Sequence, residues 1–82
     1  MDKKRHNHTD RQLAAERLRK ARKDAGFPTA NHASLFFGWS IKTYLQHEEA
    51  IKSFDADLAK IYSKAFKVSS DWLHPKQDIE DV

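Results

Sequence analysis

Cysteine is absent from the 82 residues, so neither a disulfide framework nor a thiolate metal site can form. That fits a cytoplasmic location. Glycine and proline are scarce, two of each, and each stands where a helix is expected to stop: Gly26, Pro28, Gly38 and Pro75. No apolar run approaches the roughly 20 residues that span a bilayer, and no membrane partner is expected. The stretch from Met1 to Asp10 is polar and His-rich with no apolar segment after its charges, unlike a secretory signal. Paired catalytic carboxylates, a nucleophile–base pattern, a phosphate-cradling loop and a metal cluster are all missing. His6 and His8 have no third ligand near them in sequence. The expectation is a protein that is not an enzyme and uses no cofactor.

Strand-like alternation and internal repeats are missing too. An 82-residue chain holds one small domain, and helices build its core most economically. The charge is unevenly spread. Residues 1–23 carry nine Lys or Arg against Asp2, Asp10 and Glu16, whereas residues 74–82 carry Lys76 against Asp78, Glu80 and Asp81. A basic front half points to a polyanion partner, and it also describes a plain solvated helix; charge alone leaves both open. Three regions are expected: a flexible basic N-terminal arm (1–9) containing Lys3, Lys4 and Arg5, a helical domain (10–75) and an acidic tail (76–82). The arm either lies along a nucleic-acid groove or simply solvates the terminus.

Periodicity divides the domain into five helices. The first runs from about Asp10 to Ala25. Its inner face is Leu13 or Ala14, Arg17 or Leu18, Ala21 and Ala25, and its outer face is Arg11, Arg19, Lys20 and Lys23. Gly26 and Pro28 end it. Thr29 caps a second helix reaching Phe37, with Ala33, Ser34 and Phe37 inward and His32 and Phe36 outward. Gly38 breaks the chain, and Ser40 caps a third. Asp55 caps a fourth that runs to about Phe66 with the stripe Leu58, Ile61, Tyr62, Ala65 and Phe66. Ser69 or Ser70 caps a short fifth holding Trp72 and Leu73.

The stretch F-G-W-S-I-K-T-Y-L-Q-H-E, Phe37 to Glu48, carries the functional signal. Ile41, Lys42, Leu45 and Gln46 share an outward face, while Tyr44 and His47 face inward with Thr43 near the boundary. Two helices joined by a tight turn, the second with a mixed apolar, basic and amide surface, suit a DNA major groove. Trp39 in the turn covers the joint or packs beside a sugar-phosphate backbone.

Three blocks now fall into order: R-L-R-K-A-R-K-D-A-G-F from Arg17, A-S-L-F-F-G-W-S-I-K-T-Y-L-Q-H-E from Ala33, and L-A-K-I-Y-S-K-A-F-K-V-S-S-D-W-L from Leu58. Together they resemble the Cro/C1-type (XRE) helix-turn-helix family, which includes lambdoid phage repressors and Cro proteins. The resemblance implies a compact five-helix, all-α, lambda-repressor-like domain whose second and third helices bind DNA. It implies a structural ion pair between Arg22 and Glu48 that ties the first helix to the third. Departures are visible. Ser34 stands where Ala is usual. Ala30 stands where a Gln often braces a base-reading side chain, so Thr29 or Asn31 takes the phosphate contact. Glu49 and Ala50 replace a common Asn-Gly, so the third helix is expected to run slightly longer, to Glu49 or Ala50. Glu49 also opposes a nearby phosphate path.

On that frame the base-reading candidates are Ser40, Ile41, Lys42, Thr43, Leu45 and Gln46. Lys42 donates to guanine, Gln46 bonds adenine bidentately, and Ile41 and Leu45 meet thymine methyls. Phosphate candidates are Thr29, Asn31, Lys52 and Ser53, with Lys3, Lys4 and Arg5 adding contacts from the arm. His47 and Tyr44 are expected in the core, the Tyr44 hydroxyl on a polar partner. The expected partner is a double-stranded DNA operator, bound by a homodimer whose contacts come from this domain: Trp72, Leu73, Ile79 and Val82 are candidates, or else they close the core. The expected function is a small sequence-specific transcriptional regulator, phage repressor or Cro-like. The alternative is an antitoxin or protein-interaction module of the same fold with a toxin as partner and weak or no DNA binding.

Overall fold

In a computed structural model, described over residues 10–74, the chain forms five α-helices and no strand among those residues. They are α1 (Asp10–Asp24), α2 (Ala30–Phe37), α3 (Ile41–Glu48), α4 (Ala56–Phe66) and α5 (Ser70–Leu73). The arm with Lys3, Lys4, Arg5, His6 and His8, and the tail with Pro75, Ile79 and Val82, lie outside the described residues.

The helix ends follow from local chemistry. Thr29, Ser40, Asp55 and Ser69 are extended N-caps whose side chains accept the N–H of His32, Thr43, Leu58 and Trp72. Each satisfies a donor that the first turn leaves unpaired. Gly38 closes α2 in the left-handed region at φ 76°, and the Trp39 N–H returns to the Ser34 carbonyl at 2.8 Å.

α3 stops earlier than its missing glycine predicts. It ends at Glu48, Glu49 caps it, and Ala50 takes the left-handed conformation at φ 60°. The Ile51 and Lys52 N–H groups both turn back to the Gln46 carbonyl, at 3.0 and 3.2 Å. A turn with glycine's geometry therefore forms on a residue with a Cβ, against a steric penalty of about 1–2 kcal/mol. Lys67 does the same after α4, also at φ 60°.

The core joins small residues of α1 and α2 to aromatics of α3 and α4. Ala14, Leu18 and Ala21 from α1 and Ala30 and Ala33 from α2 meet Tyr44, Phe54, Ala59, Tyr62, Phe66 and Leu73. Alanines let the helix axes approach, and the large rings fill the space this leaves near α4. Ala25 is exposed and lies outside this core, because α1 ends at Asp24. The inner stripe of α4 is Ala59, Tyr62, Ser63 and Phe66. Ile61, expected inside, is 49 % exposed. Its Cβ lies one helical step off the stripe, and the smaller Ala59 takes the close contact.

Candidate nucleic-acid interface

The buried polar contacts that hold α3 in place lie on its inner side. Tyr44, His47 and Glu48 are buried. Arg22 of α1 meets Glu48 through Nε at 2.7 Å to Oε2 and through Nη2 at 3.2 Å to Oε1, and its Nη1 reaches the Phe27 carbonyl at 2.9 Å. Both members of this bidentate pair are almost fully enclosed. Such a pair adds little to stability over an apolar contact, but removing one partner strands the other charge, at a cost of about 3–5 kcal/mol. It therefore fixes geometry.

His47 is linked to the Tyr62 hydroxyl through Nδ1 at 2.8 Å and packs against the Phe54 and Tyr62 rings. Burial pushes the His47 pKa below its usual value; Asp55 opposes that shift and Lys52 adds to it. Burial, with a smaller contribution from Glu48, raises Tyr62 to about 12. Tyr44 departs from expectation. Its hydroxyl is wholly buried next to Glu48 without a hydrogen bond of normal geometry among the described residues. Burial first, then the Glu48 carboxylate, drives its pKa far above the phenol range. The Ser34 hydroxyl is likewise buried without a partner among the described residues.

The turn between α2 and α3 is roofed by Trp39. Its ring stacks on Phe37 at 4.7 Å and meets Tyr62 edge-on at 4.9 Å, so it covers the joint. The shared aromatic cluster holds the two helices and α4 as one body.

The outer side of α3 is different. Ser40, Lys42 and Thr43 are exposed; Ile41, Leu45 and Gln46 are half-buried. Lys42 and Gln46 are four residues apart, hence on one face. Leu45 is less free than expected, since it packs partly against the core, and Thr43 is more outward than a boundary position. Among the described residues Lys42 makes no ion pair. Ser40 is engaged as the cap, accepting the Thr43 N–H at 3.2 Å. Lys52 and Ser53 are exposed just beyond α3, and the backbone of Lys52 is tied to Gln46. Thr29 and Asn31 are exposed at the start of α2, with the Thr29 oxygen accepting the His32 N–H at 3.0 Å. The Ala30 side chain is buried, so that position offers only its backbone to a ligand.

The basic face of α1 is not simply solvated. Arg19, expected outward, is half-buried and donates through Nη1 to the Glu48 carbonyl. Arg17 donates to the Trp72 carbonyl at 2.6 Å and lies over the Trp72 ring at 5.3 Å. Sequence reasoning missed both contacts; the only trace is the spacing of Arg19 and Arg22, which places them on adjacent turns. Leu73 is fully buried, so it closes the core and is not available to a second copy. Among the described residues no group of three or more His, Asp or Glu is placed to hold a metal, and no helix there is long and apolar enough to cross a membrane. No protein-family model, curated protein or solved structure matches this chain.

Proposed function

We propose that this protein is a sequence-specific DNA-binding transcriptional regulator of the Cro/C1 helix-turn-helix type, with α3 as the helix that enters the major groove. The observation that carries this is the division of α3 into a fastened inner face and an outer face bearing Lys42, Thr43 and Gln46. A groove-reading helix needs both: rigid support behind, and donor and acceptor side chains in front.

In this mechanism Lys42 donates to guanine O6 and N7, and Gln46 pairs with adenine one turn further along the helix. Ile41 supplies apolar contact to a thymine methyl, with Leu45 contributing its outer edge. Ser40 and Thr43 reach base or phosphate edges at the helix start. Thr29, Asn31, Lys52 and Ser53 bind phosphates and set register. Two copies on half-sites about one helical turn apart read an operator, with Trp72, Ile79 and Val82 left as candidate contacts of the pair once Leu73 is assigned to the core. Repression follows from occupying a promoter.

A second reading, an antitoxin or protein-interaction module of the same fold, is favoured by one feature. Leu35 and Phe36 on α2 are 73 % and 69 % exposed, and Phe36 borders a groove of about 590 Å³ lined also by Phe27, Phe37 and Phe66. Exposed large apolar side chains beside a groove suit a protein partner.

Salt titration on a random duplex separates the two. A DNA binder loses affinity steeply and log-linearly with salt, each neutralised phosphate contributing a slope of about −0.9. Absence of binding at low salt would overturn the first reading in favour of the second.

A further inference from the structure

We infer that Arg19 is a positioning residue for DNA specificity, acting through the C-terminal end of α3 without touching the nucleic acid; this rests on the proposal that α3 reads DNA. α3 has eight residues, so its axis is set by few contacts. Its last carbonyls have no partner within the helix and carry the negative end of the helix dipole. No glycine closes it; the left-handed residue is Ala50. The turn's N–H groups pair the Leu45 and Gln46 carbonyls but not that of Glu48, so a strained turn and a last carbonyl that depends on a donor from outside the helix leave this end prone to fray.

Two arginines of α1 secure it by different means. Arg22 grips the Glu48 carboxylate, which sits on a side chain with rotatable bonds. Arg19 grips the Glu48 main-chain carbonyl, from 29 residues away in sequence. A hold on the backbone constrains the helix axis, and a hold on a side chain tip constrains it less. The Arg19 guanidinium also places a cation at the negative end of the dipole. Arg19 thus anchors the end of α3 that carries Gln46, whose carbonyl in turn receives the Ile51 and Lys52 N–H groups. Base readout depends on placing side chains within about 0.5 Å, so release of this end degrades discrimination ahead of general affinity.

The test compares the unaltered protein with Arg19→Gln and Arg19→Lys by two measurements. Amide hydrogen exchange on free protein reads the local hold. Arg19→Gln is expected to speed exchange about tenfold at Glu49, Ile51 and Lys52, as loss of one charge-assisted hydrogen bond allows. Val68, whose N–H bonds the Ser63 carbonyl after α4, is expected to stay unchanged. Arg19→Lys, which keeps a cationic donor, is expected to recover much of the protection. Binding then reads function. With Arg19→Gln the affinity ratio of selected to random duplex is expected to fall about five- to tenfold, with the salt slope unaltered. A slope reduced by about one would mean that Arg19 neutralises a phosphate directly, and would overturn the inference. Faster exchange at every amide, Val68 included, would overturn it as well, since that is general destabilisation. If the unaltered protein binds no duplex, DNA reading itself fails and takes the specificity role with it, whereas unaltered exchange at the α3 end alongside normal duplex binding would sink the Arg19 role alone.

Discussion

On the inner face of α3, Glu48 meets a guanidinium, His47 meets a phenol, and Tyr44 lies 0 % exposed among aromatic rings. On the outer face Lys42 and Thr43 stand in solvent, with no ion pair to Lys42 among the described residues. One eight-residue helix therefore combines side chains that are costly to disturb for folding with side chains the fold can lose cheaply. The contrast predicts that substitutions on the two faces fail in different assays.

The largest effect belongs to the inner face. Glu48→Ala strands Arg22 in the core and is expected to cost about 3–5 kcal/mol in denaturant unfolding, with binding lost through unfolding. On the outer face, Lys42→Ala with Gln46→Ala is expected to remove about 1–3 kcal/mol of discrimination per base contact while leaving the unfolding midpoint in place. Lys52→Ala is expected to weaken all duplexes alike and lower the salt slope by about one, with the sequence preference retained. Equal loss of preference from Lys52→Ala would erase the division between reading and anchoring.

Smaller effects sharpen the contrast from behind α3. Ser34→Ala removes a buried hydroxyl that has no partner among the described residues and is expected to raise stability by about 1 kcal/mol. Ala50→Gly relieves the left-handed turn and is expected to add somewhat less, about 0.5–1 kcal/mol, since glycine also loosens the unfolded chain. Calorimetry on the two variants checks both signs. The smallest effect is a slope with pH. His47 binds its proton less readily when folded than at its unfolded value of 6.5. Its contribution is therefore whole above pH 6.5 and is lost as pH falls from there toward the lower folded value, because the unfolded chain then holds more protons. His47→Gln is expected to flatten that part of the stability–pH curve.

The starts of α2, α3 and α4 were legible because Thr29, Ser40 and Asp55 each combine a capping oxygen with a following apolar period, whereas the adjacent Ser69 and Ser70 left the α5 cap open until the structure assigned it to Ser69. Gly38 marked the α2–α3 turn as plainly. The end of α3 was not legible, since its left-handed turn falls on Ala50, where composition shows no breaker. In α4 the stripe was legible at Leu58, Tyr62, Ala65 and Phe66, which pack on the core, but not at Ile61, which is exposed while the smaller Ala59 takes the close contact. The inward course of Tyr44 and His47 could be read from spacing. The reach of Arg19 to α3 and of Arg17 to α5 could not, because a long side chain with a polar tip looks the same in sequence whether it ends in water or on a carbonyl.

The most direct measurement is selection of bound duplexes from a random pool, run in parallel with the unaltered protein and the Lys42→Ala, Gln46→Ala variant. The expected result is one short motif repeated with two-fold symmetry about one helical turn apart, enriched by the unaltered protein and absent from the variant's pool. Enrichment of the same motif by both proteins, or of none by the unaltered one, would contradict base reading by the outer face of α3.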